Sequence, residues 1–266
     1  MLSRNVTWAL EDLDVSPAAI GDALSSALTR AETRLLADPP AGLFETWDAW
    51  VTAMQAGSAL LEAALIDEGS IRVRIEHEVR SIPASGPQSS ADAGNWITAF
   101  WLAVVCREKN RVTRLCQVPT ALLRASGAEY DDYIYTWIDA LQAYWQERED
   151  FGHLLVTAAQ GTRPDELRIT SPDLMSLVLW SPIELMTHLV RGDEPQFNES
   201  LASALQRHKQ YWSADSERAR RSTGLVALGP LAIACFAHDA GFPISVESEY
   251  LPKALLTGAW AGEFET

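Results

Sequence analysis

Apolar residues in this chain return every three or four positions over most of its length, and one stretch alone breaks that rhythm. A chain patterned this way buries helix faces against one another. Ser16 as N-cap and Pro17 at the first helical position open an amphipathic helix, with Ile20, Leu24, Leu28, Ala31 and Leu35 on one face and Pro39-Pro40 as its stop. A second helix starts near Leu43 and runs to about Ile66. Phe44, Trp47, Val51, Met54 and Leu61 mark its inner face, and Glu45, Asp48 and Gln55 the outer one. Gly57 within it costs about 1 kcal/mol relative to alanine and signals close packing or a kink.

The break lies between Ser70 and Ile82. There Ile71, Val73, Ile75, His77 and Val79 alternate with Arg72, Arg74, Glu76, Glu78 and Arg80, the pattern of one half-buried strand. A lone strand leaves backbone groups unpaired on both edges, so it needs a partner in another segment or chain, or lies as an extended arm along the helices. Pro83 to Gly94, rich in Ser, Pro, Gly and Ala, reads as a flexible surface loop and the best candidate for a domain boundary. Both flanks are strongly apolar, so the expectation is an excursion within a single domain, 1–266.

Helical spacing then resumes. Trp96 to Cys106 is nearly all apolar, as a central core helix would be, and Glu129 to Asp150 carries Tyr133, Trp137, Leu141, Tyr144 and Trp145 on its inner face. A short helix, Phe151 to Gln160, follows an acidic corner. Ser171-Pro172 and Ser181-Pro182 each match an N-cap followed by proline, predicting two helix starts. Phe197, Leu201, Leu205, His208 and Trp212 define an amphipathic helix, and Leu225 to Ala240 a very apolar one ending at Gly241. Asp139 to Trp145 and Gln206 to Trp212 echo each other weakly at two helix ends, as stacked helix pairs would. The expected fold is all-α: an irregular bundle or array of stacked helix pairs, resembling a helical repeat, with one minor extended element near residues 70–82.

The charge balance narrows the partners. Twenty-one Lys and Arg face 36 Asp and Glu, a formal net charge of −15 over 266 residues, opposite in sign to the footprint of a nucleic-acid binder. No nucleic acid is expected as a partner. Neither apolar run, Leu225–Ala237 with its Gly229-Pro230 interruption or Trp96–Cys106, approaches the ~20 residues that cross a bilayer, so no membrane partner is expected either. Met1 to Asp14 lacks the apolar stretch of a leader, which predicts a cytoplasmic location. Cys106, Cys116 and Cys235 have no paired spacing and read as reduced core residues.

Catalytic signatures are scarce: the sequence holds no phosphate-binding Gly loop, dinucleotide fingerprint, nucleophile elbow or His-Glu-x-x-His pair. His238-Asp239 resembles the dyad of all-α metal-dependent phosphohydrolases, with His188 or His208 as an upstream ligand. The downstream aspartate is missing, because Asp239 is the last in the chain and only Glu247, Glu249, Glu263 and Glu265 follow. The plainer reading places His238 at a helix C-terminus, where a protonated imidazole favours the dipole. His77 reads as a half-buried strand histidine. The ten tryptophans share faces with Leu, Ile and Phe and read as core, with Trp260 the exception. Acidic clusters at Glu11–Asp14, Asp67-Glu68, Asp131-Asp132, Glu147–Asp150 and Glu247–Glu249 are a solvated surface, or a face that attracts a basic partner.

The text from Gly224 (GLVALGPLAIACFAHDAGFP to Pro243), then VESEYLP from Val246 to Pro252, resembles the immunity protein 49 family of bacterial polymorphic toxin systems. Trp96–Cys106, Cys116-Gln-Val-Pro119, Arg124-Ala-Ser-Gly127 and His208-Lys-Gln-Tyr-Trp212 extend the likeness, which is strongest after Trp96. The resemblance implies a mainly helical protein that binds and neutralises a cognate toxin domain, without catalysis and without cofactor or metal. An acidic surface suits a basic nuclease as that toxin. Charge with a nearby aromatic anchor suggests Asp131, Asp132, Glu247, Glu249 and Tyr250 as contact residues. The runner-up readings are a helical scaffold with an endogenous partner and, behind it, an all-α metal-dependent hydrolase.

Overall fold

The computed structural model describes residues 19–263. Ser16, Pro17, the Glu11–Asp14 cluster, the Met1–Asp14 stretch and Glu265 lie outside them. The described chain is mostly helical with one small antiparallel hairpin, as the periodicity predicts. Two compact units divide it: residues up to Ala128 together with Trp260 onward, and Glu129–Ala259.

In the first unit, α1 (Ala19–Arg34) buries Ile20, Ala23, Leu24, Ala27 and Ala31 at helical spacing against α2 (Phe44–Ala64). Between them Asp38 organises the turn that Pro39-Pro40 force. Its carboxylate accepts the Gly42 N–H at 3.1 Å and the Leu43 N–H at 2.9 Å. Desolvation pushes this carboxyl up, but those bonds, with Thr46 and Arg34 nearby, hold it below its ordinary value.

Helix α2 is the centre of its unit, with every residue buried except Phe44, Glu45, Asp48 and Glu62. Gln55, expected on its outer face, is fully enclosed and accepts the Glu76 N–H at 2.7 Å. Small residues let neighbours approach this closely. A Cβ on Gly57 would lie 3.0 Å from the Cβ of Ala99, so the glycine marks helix contact rather than a kink. That neighbour is α3 (Ala93–Val105), capped by Asp92 through the Asn95 N–H at 2.8 Å.

The alternating stretch is two strands rather than one. β1 (Ser70–Ile75) and β2 (Glu78–Pro83) pair antiparallel, Ile71 opposite Ile82 and Ile75 opposite Glu78, across a turn at Glu76-His77. The partner that the strand requires is therefore its own second half. Three steps from Ile75 to Glu78 reverse the parity of the side chains, so Ile82 joins Val73 and Ile75 in the core while Val79 is 54% exposed. His77 sits on the turn with its side chain 78% exposed, not half-buried in a strand. Glu76 takes a positive φ of 57° there, a conformation usually left to Gly, Asn or Asp. Ion pairs from Arg30 to Glu76 (3.4 Å) and to Asp48 (3.6 Å) fasten this tip to α1 and α2. The 83–94 loop is tied down within the same unit: the Ala84, Ser85 and Gly86 N–H groups bond to the carbonyls of Gly69, Ala63 and Ile66. Helices α4 (Lys109–Leu115) and α5 (Thr120–Arg124) follow, and the Trp96 indole N–H reaches the Leu115 carbonyl at 2.9 Å. Trp260 packs edge-to-face on Phe44, with ring centroids 6.2 Å apart.

The second unit contains α6 (Tyr133–Trp145), shorter than the Glu129–Asp150 segment suggests, and α7 (Phe151–Gly161) packed beside it. Ser171 caps α8 (Pro172–Leu174) through the Leu174 N–H, as its Ser-Pro signal predicts. The second signal does not start a helix. Ser181 and Pro182 lie inside α9 (Trp180–Arg191), directly after a π-helical turn at Met175–Leu179. Proline has no N–H and its ring crowds the carbonyl four residues back, here that of Val178; the widened turn, closed by the Trp180 N–H on the Met175 carbonyl, accommodates both defects. The Ser181 hydroxyl is buried without a hydrogen-bond partner among the described residues.

Helix α10 (Glu194–Trp212) is capped by Asp193 on the Gln196 N–H at 3.2 Å. Helix α11 (Leu228–Asp239) buries Pro230–Cys235 and Ala237. Counted from Ser222, this stretch has the length and apolar content of a membrane-crossing segment, although only half of it is buried. Its regular helix has 12 residues, about 18 Å at 1.5 Å per residue, against a hydrocarbon core of ~30 Å. A short α12 (Lys253–Leu256) ends the unit. Cys106, Cys116 and Cys235 are all buried and none is in a disulfide; enclosure pushes the Cys116 thiol up to about 12, so it packs as an inert hydrophobe.

Candidate partner-binding surfaces

The five sequence-predicted contact residues fall in the second unit but in two different settings. Asp131, just before α6, is only 5% exposed. Its Oδ1 accepts the Arg168 N–H at 2.6 Å and the Ile169 N–H at 3.0 Å, and its Oδ2 the Thr170 N–H at 2.7 Å. Desolvation pushes this carboxyl up, but the donors from Arg168, Thr170 and Ile169 outweigh it and hold it below its ordinary value. Asp131 thus closes a loop of its own unit. Asp132 beside it is exposed and its backbone leads into α6.

The other three belong to an extended segment laid along α10. Asn198 holds its start, donating from Nδ2 to the Pro243 carbonyl at 2.9 Å and accepting the Ser245 N–H at 2.8 Å. Its end is held by the Ala227 N–H on the Tyr250 carbonyl (3.1 Å) and by buried Leu251. Side chains alternate between these anchors, leaving Glu247 and Glu249 exposed and Tyr250 half-buried. Glu249 lies 4.0 Å from Lys209, and the Tyr250 ring packs 5.2 Å from the ring of His208. Burial pushes the Tyr250 hydroxyl up, with the Glu249 charge adding to it.

His208 is a core histidine. Its Nε2 lies 3.0 Å from the Gly224 carbonyl, and burial pushes it down to about 4. His238 and Asp239 sit at the C-terminal turn of α11, their side chains 3.3 Å apart and both partly exposed. Among the described residues no group of three or more His, Cys, Asp or Glu is placed to hold a metal ion. Of the nine described tryptophans, Trp47, Trp50, Trp96, Trp101 and Trp137 are buried and the others half-buried, which matches a packing role.

One surface was not legible as such in the sequence. Helix α7 and helix α9 line an open cavity of about 550 Å³. Leu155, Val156 and Ala159 contribute from α7, and Trp180, Thr187 and Val190 from α9. Val156 is 55% exposed and Val190 42%. The signal was present as a helical stripe, Gly152-Leu155-Val156-Ala159-Gln160-Arg163, but a stripe at that spacing looks the same whether a neighbour covers it or not.

The family model for Immunity protein 49 matches residues 38–255. The chain belongs to the immunity protein 49 family. That span takes in the hairpin and α2, so the family pattern reaches well upstream of Trp96, where the resemblance is strongest; it leaves out α1. No curated protein and no solved structure matches the chain. Membership implies toxin neutralisation by a generally non-enzymatic protein with a toxin as partner. The extended 243–252 segment and the α7/α9 cavity both lie mostly or wholly within the matched residues.

Proposed function

We propose that this chain acts in the cytoplasm of the producing bacterium, where it binds one cognate polymorphic toxin and neutralises it by occupancy, without making or breaking bonds. The observation that carries this reading is the family match over residues 38–255. Its charge supports a basic toxin, such as a nuclease, because a net −15 accelerates encounter with a cationic domain and orients it before close contact forms. Asp132, Glu247 and Glu249 then belong to the steering surface, with Tyr250 as a fixed aromatic beside it. Asp131 instead holds the 168–170 loop and is not offered to a partner.

Co-expression tests the proposal. The toxin domain encoded beside this gene is produced with and without the full chain, and survival and complex formation are both measured. Rescue accompanied by a stable complex supports neutralisation by binding. Rescue without a complex, or a chain that co-purifies only with housekeeping assemblies, overturns it and favours the scaffold reading.

A further inference from the structure

We propose that the α7/α9 groove is the anchoring site for an acidic, aliphatic-bearing helical segment of the cognate toxin, an inference that rests on the neutralising function above. Two helical stripes form its walls: Leu155, Val156 and Ala159 on α7, and Trp180, Glu184, Thr187 and His188 on α9, recurring at the three-to-four-residue steps by which helices pack. An apolar trough between two helices accepts the apolar face of a third.

Its charge departs from that of the chain as a whole. Arg163 and Arg191 stand at the groove, and among the described residues neither is in an ion pair, in a protein whose net charge is −15. Among the described residues the one carboxylate in the lining, Glu184, is already paired with Arg207. The groove therefore presents two uncommitted guanidinium forks, each able to take a carboxylate in bidentate fashion. His188 adds an enclosed Nδ1 with no hydrogen-bond partner among the described residues. A basic segment would meet like charge here, whereas a helix with leucine or valine on one face and Asp or Glu beside it matches both floor and rim. The broad acidic surface and this local basic groove divide the work: the first governs approach, the second fixes register.

The test uses the full chain and the toxin domain encoded beside it. Arg163→Glu combined with Arg191→Glu changes two exposed side chains and is expected to weaken toxin binding by about tenfold or more. Arg163→Lys with Arg191→Lys keeps the charge and is expected to retain much of the affinity. Circular dichroism and thermal melts verify that both variants fold. Hydrogen exchange of the wild-type complex is expected to show protection over residues 152–163 and 180–191. Unchanged binding by the Glu variant, or protection confined to 243–252 with none on α7 and α9, overturns the inference and leaves neutralisation intact. Wild-type chain that neither binds the toxin nor rescues the cell overturns the functional reading, and this inference with it.

Discussion

Helices α2 and α7 are both rich in Ala, Val and Leu, yet their surroundings are opposite. α2 is enclosed by α1, α3 and the hairpin, so that even Gln55 and Thr52 are buried. α7 buries Leu155 and Ala158 and leaves Val156 exposed over its groove. Apolar content is therefore not the same as core. In α2 it stabilises the unit, and in α7 part of it remains available to a partner.

Trp50→Ala attacks the enclosed helix and carries the largest expected effect. It removes a fully buried indole and is expected to cost about 3–5 kcal/mol, read as a drop in the urea midpoint. If the variant unfolds at nearly the wild-type midpoint, α2 is not the structural centre described above.

His208 supplies the next effect, on the second unit. Burial pushes it from 6.5 to about 4, so the unfolded chain takes up this proton first as the medium is acidified. Its contribution is full above pH 6.5 and drains as the pH falls toward 4, on the order of 3 kcal/mol in all. His208→Phe, which keeps a ring against Tyr250, is expected to flatten that slope in pH-dependent melts. An unaltered slope would mean that the imidazole is not held neutral. Asp131→Ala ranks close behind. It strands three backbone N–H groups, for a cost of about 2–3 kcal/mol. Loss of exchange protection at 168–170 is the local readout.

Val156→Asp sharpens the comparison from the other side. At a solvent-facing position it is expected to change stability by no more than about 0.5 kcal/mol, while placing a carboxylate on the floor of the groove and weakening toxin binding. A large loss of stability would show that the α7 stripe is core after all.

These contrasts also explain what could be read in advance. α1, α10 and α11 were legible because their apolar steps act locally, with Pro39-Pro40 after the first and Gly241 after the last. The hairpin was not, since Glu76-His77 lacks the Gly, Asn or Asp that announces a two-residue turn and the alternation runs on through it. Ser181-Pro182 carries the letters of a helix start, but a π-turn formed by the preceding residues absorbs the proline within a continuing helix. Among the contact residues, Asp131 and Asp132 are indistinguishable as text. Only the return of the 168–170 backbone assigns one carboxylate to the interior. The α7/α9 groove depends on which helix faces lack a neighbour, a tertiary property that no local pattern carries.

The central claim is that this member of the immunity protein 49 family neutralises its toxin by direct, tight binding. Isothermal titration of the purified full chain with the toxin domain encoded beside it tests that claim most directly. The expected result is a saturable complex with nanomolar or tighter Kd, about −12 kcal/mol or more favourable. Absence of heat and of complex at micromolar concentrations, with both proteins folded, would contradict the account.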